Sequence, residues 1–286
     1  MEIAKTIEEV RQKVADWKKS GFKIGFVPTM GYLHEGHLSL VRESKKRTDR
    51  TVVSIFVNPT QFGPNEDYQI YPRDLERDQK LLLEEGVDLI FYPPVEVMYP
   101  EGYKTYVEVK ELQDQLCGRS RPGHFRGVCT VVLKLFNIVQ PDEAYFGWKD
   151  AQQVIIIQKM VEDLNLSVKV IPRPIIRDPD GLALSSRNTY LRPEERKAAL
   201  ALNRSLDLAA ELIRKGELNA EIIRRRMLEL IEQEPLARVD YVEIVDLKNL
   251  EKVEKLDRDV LIALAVYVGR TRLIDNLRFI SGEVEK

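Results

Sequence analysis

Short apolar runs alternate with amphipathic stretches over the first 176 residues of the chain. Lys23–Val27, Thr51–Val57, Val87–Tyr92, Ala144–Phe146 and Val168–Ile171 are dominated by Val, Ile and Phe. That is the pattern of strands buried on both faces of a parallel sheet. Between them, the first 21 residues, the stretch from about His37 to Arg47, Leu75–Glu85, Phe125–Val139 and Asp150–Leu164 carry helical periodicity. Pro28 has no amide hydrogen and is expected to end the first ladder. Tyr103–Val109 reads as an excursion strand. Strands alternating with helices predict an α/β fold: a Rossmann-like parallel sheet domain over 1–176, with ligands at the carboxyl ends of its strands.

The pattern changes beyond Asn188. Pro193 opens a long polar-faced helix over Glu194–Lys215, stopped by Gly216, and Leu218–Glu232 follows as a second helix before Pro235. Val239–Val245, Val260–Val268, Arg272–Ile274 and Leu277–Ile280 then alternate or run apolar as strands. This predicts a smaller C-terminal α+β domain with an antiparallel sheet over 177–286, placed as a lid on the first.

Composition narrows the function classes. A chain of 286 residues is about two domains at the usual ~150 each. The net charge is −2 and no Lys/Arg block stands out, so binding of nucleic acid is not expected. No run of about 18 apolar residues exists to span a membrane. The N-terminal helix is studded with acids, unlike a signal peptide. Cys117 and Cys129 are too few and too far apart for a zinc site or a disulfide framework, and read as reduced thiols of a cytoplasmic protein.

The chain holds three histidines, and two of them, His34 and His37, fall in one turn as H-x-G-H. If the helix reaches back to His34, both imidazoles share a face over its N-terminus, where free amide hydrogens and partial positive charge suit a phosphate. Gly31 and Gly36 leave room for a nucleotide beside the backbone. An isolated H-x-x-H suits a plain strand–helix junction equally well, and the scarcity of histidine is what argues for a shared task.

Four other segments carry chemistry. In FVNPTQF (Phe56–Phe62), Gln61 lies just past a strand, where a neutral amide can grip a hydroxyl and a carboxylate together. In RPGHFRGV, Arg121 and His124 flank Gly123 ahead of a helix, a cationic pocket for a carboxylate or a surface turn with an exposed Arg. In GWKD (Gly147–Asp150), Lys149 is a point charge at a strand-to-helix junction. In DGLALSSRN, Ser185, Ser186 and Arg187 offer hydroxyl and guanidinium donors to a triphosphate, or form a hinge with an Arg salt bridge. Asp74 and Asp78 are four apart on one helix face, which suits a metal or an ordinary solvated surface.

The H-x-G-H spacing resembles the HIGH signature of nucleotidylyltransferases and class I aminoacyl-tRNA synthetases. The wider string PTMGYLHEGH, with the four further segments in the same order, is similar to the pantothenate synthetases over the whole chain. The resemblance implies an ATP-dependent ligase that condenses pantoate with beta-alanine through a pantoyl adenylate. It implies ATP at Met30, Gly31, Tyr32, Leu33, His34, Glu35, Gly36 and His37, at Gly147, Trp148, Lys149 and Asp150, at Ile176, and at Leu184, Ser185, Ser186 and Arg187. His34, His37 and Lys149 are the catalytic residues it implies; Gln61 and Gln153 hold pantoate, and Gln61, Arg121 and His124 hold beta-alanine. Magnesium at Asp78 and a homodimer follow from the same resemblance. Trp148 and Leu184 depart from it, where relatives often carry an acid and Met. Two rivals stay open: an adenylyltransferase acting on a phosphate acceptor such as phosphopantetheine, and a catalytically silent nucleotide-binding protein.

Overall fold

Six short strands pair side by side, all parallel, in the order β1-β4-β3-β2-β5-β6. They are β1 (Glu2–Ala4), β2 (Ile24–Thr29), β3 (Arg50–Ile55), β4 (Leu89–Phe91), β5 (Glu143–Gly147) and β6 (Lys169–Arg173). The helices up to this point are α1 (Ile7–Lys19), α2 (Glu35–Arg47), α3 (Leu75–Glu84), α4 (Val95–Met98), α5 (Cys117–Ser120), α6 (His124–Val139) and α7 (Ala151–Asp163). The computed structural model describes residues 1–285 and divides into two compact units. The first comprises Met1–Gln113, Arg121–Trp148 and Gln153–Arg173. Its sheet buries Ile24, Phe26, Val27, Val52, Val53 and Ile90 completely, as expected for strands covered on both faces.

The strand order reverses at β2. From there the chain steps to β3 and β4 on one side, and to β5 and β6 on the other. Pairing of β2 with β5 stops at Phe26↔Ala144, so the two strands part beyond it. A crevice at such a switch point is where open α/β sheets take ligands. The H-x-G-H turn leaves the carboxyl end of β2, and the GWKD segment begins at that of β5.

Pro28 does not end the ladder. It lies inside β2, opposite Ser54. The backbone groups of Ile24 face Asp142 ahead of β5, whereas the carbonyls of Lys23 and Thr29 face the β3 side. Alternation turns Pro28 toward β5, where pairing has already ended, so its missing amide hydrogen breaks nothing.

Three other expectations are corrected. The N-terminal segment is not all helix, because β1 precedes α1; two of its three residues are exposed, and only the edge of β4 recruits it. Tyr103–Val109 is not a strand. There Tyr99, Tyr103 and Tyr106 pack edge to face, with centroids 5.1 and 5.7 Å apart, and the Val107 amide donates to Thr130 Oγ1 (3.0 Å). The segments Arg272–Ile274 and Leu277–Ile280 are one strand, continuous through a buried polar pair.

The second unit comprises Asp114–Ser120, Lys149–Gln152 and the chain from Pro174 onward. It contains an antiparallel sheet of β7 (Ala237–Asp246), β8 (Val260–Val268), β9 (Thr271–Ile280) and β10 (Glu283–Glu285), in the order β10-β9-β8-β7. Leu202, Leu206 and Ala209 of α8 (Pro193–Arg214) and Ile223 and Met227 of α9 (Ala220–Ile231) share a core with Val260, Ile262 and Leu264 of β8. No helix among the described residues is long and apolar enough to cross a membrane.

One buried charge ties the H-x-G-H helix to the sheet. Glu143, at the start of β5, accepts from Arg47 Nε (2.9 Å) at the end of α2, from Lys23 Nζ (2.7 Å) and from the Tyr145 hydroxyl (2.6 Å). The Arg47 hydrogen bond outweighs burial and holds the Glu143 carboxyl at about 2, below its ordinary 4.5. The folded protein therefore keeps this group ionised where the unfolded chain takes up a proton. Its stabilisation is complete above about pH 4.5 and is lost as pH falls through about 2. At neutral pH it is worth roughly 1–3 kcal/mol, discounted for its partly exposed partners. Glu143→Gln is expected to lower the melting temperature at neutral pH and to flatten the acid limb of the stability curve. Thermal melts between pH 2 and 7 check this, with the two curves converging at the acid end.

Candidate active site

The turn after β2 is shaped by a carboxylate from another element. Asp78 of α3 is 1% exposed, and its two oxygens accept from the Tyr32 and Leu33 amides, each at 2.7 Å. The chain can meet both because Gly31 (φ +83°) and Tyr32 (φ +50°) adopt left-handed backbone. A Cβ at Gly31 would lie 2.9 Å from Ile55 Cγ2, so no other residue fits that bend without displacement. Burial pushes the Asp78 carboxyl above its ordinary value, and the two amides pull back toward ionisation.

The bend delivers His34 as the N-cap of α2. His34 Nδ1 accepts from the Gly36 amide (3.2 Å), and His37 Nδ1 accepts from the His34 amide (3.3 Å). This is a reciprocal capping box made from two imidazoles, whose rings stack with centroids 4.0 Å apart. A nitrogen that accepts from an amide carries no hydrogen, which assigns the ring proton to Nε2 in both residues. A doubly protonated ring would set N–H against N–H. The pair is thus two neutral donors over a helix N-terminus.

Gln61 sits in a short 3-10 turn, Pro59–Gln61, after β3. Its amide is fixed at both ends: Oε1 accepts from Asn58 Nδ2 (3.0 Å) and Nε2 approaches Met30 Sδ (3.3 Å). Its carbonyl accepts from His124 Nδ1 (2.8 Å) and Arg121 Nη2 (3.3 Å). Arg121 Nη1 donates to His124 Nε2 (3.0 Å), so His124 carries its proton on Nδ1, the tautomer opposite to that of His34 and His37. Gly127 of α6 lets the helix press on this turn, since a Cβ there would lie 2.4 Å from the Thr60 carbonyl oxygen.

Arg121 and His124 come together as expected, but the guanidinium is already paired with a carboxylate of the chain. Glu66 grips Arg121 in a two-pronged pair, Nε to Oε1 at 2.8 Å and Nη2 to Oε2 at 2.6 Å. Burial alone would raise the Glu66 carboxyl, but the Arg121 hydrogen bonds and charge hold it below the ordinary range. The positive charge is balanced in place, and both side chains hold the Gln61 carbonyl.

The other predicted segments belong to the second unit, except Gly147, Trp148 and Gln153. Lys149 sits in a 3-10 turn, Trp148–Asp150, with Nζ 3.3 Å from Asp150 Oδ2. Trp148 is buried, consistent with a structural side chain at this place. Ile176 accepts at its carbonyl from the Leu184 amide (3.0 Å), which closes a hairpin running straight into Ser185, Ser186 and Arg187. Ser185 Oγ caps the following turn by accepting from the Arg187 amide (3.3 Å). Gln153 is half-buried in the first turn of α7, within the first unit.

Asp78, 1% exposed with each oxygen accepting from a backbone amide, is placed as a clamp on the turn rather than as an open magnesium contact. Asp74 is the N-cap of α3, accepting from the Arg77 amide (3.0 Å). Among the described residues no group of three or more His, Cys, Asp or Glu side chains could hold a metal ion. Sequence reading missed Glu66, Gly127 and the pair Asp275–Asn276. Only the last left a signal, two polar residues interrupting an apolar strand pattern.

A family model described as pantoate-beta-alanine ligase matches residues 2–278. A pantothenate synthetase of Caldicellulosiruptor saccharolyticus is 59% identical over 277 residues, 97% of this chain and 99% of that protein. A crystal structure of pantothenate synthetase from Thermus thermophilus superposes with a TM-score of 0.93 at 46% identity, covering 97% of this chain and 99% of that one. A pantoate-beta-alanine ligase from Francisella tularensis, solved with beta-gamma ATP and beta-alanine, matches with a TM-score of 0.80 at 39% identity over 96% and 97% of the two chains.

If Asp78 is a clamp on the turn, Asp78→Asn sets an amide NH2 against one backbone N–H. The loss is expected to be roughly 2–4 kcal/mol of stability. Thermal melts in chelator should show it in full, without any metal present. A melting point unchanged in chelator but lowered relative to the parent with magnesium would instead mark a metal ligand.

Proposed function

The chain belongs to the pantoate-beta-alanine ligase family: it is an enzyme that joins pantoate to beta-alanine at the expense of ATP, and we propose that it does so through an enzyme-bound pantoyl adenylate. In the first step a pantoate carboxylate oxygen bonds to the α-phosphorus of ATP as the bond to the β-phosphate bridging oxygen breaks, releasing diphosphate. In the second the beta-alanine nitrogen bonds to the acyl carbon as the bond to AMP breaks, and the amine gives up a proton. No covalent link to the protein is needed.

The observation that carries this reading is the paired His34–His37 tautomer. Two Nε2–H donors, fixed by the backbone before substrate arrives, are suited to phosphate oxygens whose charge grows as diphosphate departs. The proposed nucleotide contacts are Met30–His37, Gly147–Asp150, Ile176 and Leu184–Arg187, with Lys149 and Arg187 supplying the positive charge. His37 acts as a hydrogen-bond donor. Gln61 and Gln153 take pantoate, and Gln61 also orients beta-alanine. Arg121 and His124 serve beta-alanine by holding the Gln61 carbonyl. Magnesium belongs to the proposal as the ion that the triphosphate brings, since a small cation that keeps its waters needs few protein ligands. No step is assigned to it.

The proposal extends to a homodimer formed by the first domain, 1–176, with 177–286 as a lid and a cytoplasmic setting. Family membership supports the dimer, and a monomer in sedimentation at micromolar concentration would exclude it. Both cysteines are buried and free, in keeping with a reducing compartment.

The deciding experiment is ATP–diphosphate exchange. Exchange should require pantoate and magnesium and proceed without beta-alanine; exchange driven instead by a phosphorylated acceptor would make the protein an adenylyltransferase. Lys149→Ala should slow exchange by roughly a hundred- to thousandfold, about 3–4 kcal/mol of lost transition-state stabilisation. Amide formation from supplied pantoyl adenylate has no departing diphosphate and should suffer far less. Equal losses in the two half-reactions would mean that Lys149 positions the adenylate itself.

A further inference from the structure

Two adjacent residues of β9 hold both of the phosphate-directed segments in the second unit. Asn276, 2% exposed, donates from Nδ2 to the Lys149 carbonyl at 3.0 Å. Asp275, 3% exposed, accepts from Arg177 Nη1 (2.6 Å) and Nη2 (2.9 Å). Arg177 Nη1 also donates to the Gly181 carbonyl (3.2 Å), and Arg177 pairs with Ala183 across the hairpin that leads into Ser185–Arg187. Asn188, just past that segment, donates from Nδ2 back to the Ala183 carbonyl (3.0 Å). The Asn276 amide closes onto Asp275 Oδ1 (2.8 Å), which joins the two anchors. Both residues sit mid-ladder in β9, Asp275 opposite Leu264 and Asn276 opposite Ala263 of β8, while β10 pairs only with Arg278–Ile280 further along.

A buried two-pronged Arg–carboxylate pair is a stiff joint, and a buried amide on a main-chain carbonyl fixes a turn. One backbone step of a strand, about 3.4 Å, therefore sets where the Lys149 turn stands relative to the hairpin before Arg187. We propose that Asn276 and Asp275 are positioning residues for adenylyl transfer: Asn276 acts through Lys149, and Asp275 acts through Arg177 on the Ser185–Arg187 segment. This rests on the reading of Lys149 and Arg187 given above. It explains why β9 carries buried polar side chains where its neighbours along the strand, Leu273 and Leu277, are core.

The test is a double-mutant cycle on diphosphate exchange. Asn276→Ala should slow exchange ~10- to 100-fold, the range expected when a charged group is misplaced by about 1 Å. Amide formation from supplied pantoyl adenylate should change far less, and Asn276→Gln, which keeps an amide donor, should recover part of the loss. In a Lys149→Ala background Asn276→Ala should cost less than ~2-fold more, because the group it positions is gone. Asp275→Asn should behave the same way toward Arg187→Ala. Asn276→Leu keeps the branched shape without a donor and reads the same effect if the alanine variant folds poorly. Full additivity with Lys149→Ala, or wild-type exchange in folded Asn276→Ala and Asn276→Leu, would overturn the proposal while leaving the role of Lys149 intact. Wild-type exchange in Lys149→Ala would overturn that role and the proposal with it.

Discussion

The Asp78 carboxylate is the contact on which the turn after β2 depends. A buried anion is costly on its own, and burial does push its carboxyl upward. Two main-chain amides at 2.7 Å offset that cost, and in doing so they hold Tyr32 and Leu33 in a bend the backbone would not otherwise keep. Gly31 takes its left-handed angle freely, and the grip holds Tyr32 in a left-handed angle that a non-glycine residue rarely adopts. From that bend His34 arrives as a helix cap, and from the cap follow the positions and tautomers of both histidines.

The same economy of charge recurs within each unit. Arg121 looks like a ligand group in the sequence, yet Glu66 neutralises it and its remaining donors go to His124 and the Gln61 carbonyl. A guanidinium with five donors in a fixed fork is well suited to building a support of this kind. Lys149, by contrast, has one exposed-side partner, Asp150, at 3.3 Å, and sits on a turn whose backbone is held by Asn276. A cation tied to a carboxylate and a backbone carbonyl supports a turn, as Arg121 does at Gln61.

Much of this was legible before any coordinates. Alternating strands and helices, the parallel sheet and the later antiparallel one follow from periodicity, because burial on two faces and on one leave different patterns. The H-x-G-H turn was legible because histidine is scarce and its spacing meets a helix start. What stayed hidden depends on partners distant in sequence. Asp78 read as a magnesium contact or a surface acid, since nothing local says that its oxygens reach the backbone 45 residues earlier. Pro28 read as a stop because its tolerance depends on where β5 ceases to pair. Tyr103–Val109 has strand composition but its rings find each other instead of a ladder. The gap read between two strands at Asp275–Asn276 is a buried polar pair whose partners lie about 100 and 127 residues away.

The most direct test of the account is the protonation of the imidazole rings in solution. Only three histidines are present, so nitrogen-15 labelling of histidine with two-bond nitrogen–proton correlation resolves every ring. At neutral pH, without substrate, His34 and His37 should show the Nε2–H tautomer, and His124 should show Nδ1–H. Asp78→Asn should loosen the first two toward tautomer averaging and leave His124 unchanged. Finding His34 or His37 protonated on Nδ1, alone or on both nitrogens, would contradict the view that the turn prepares two neutral donors for phosphate.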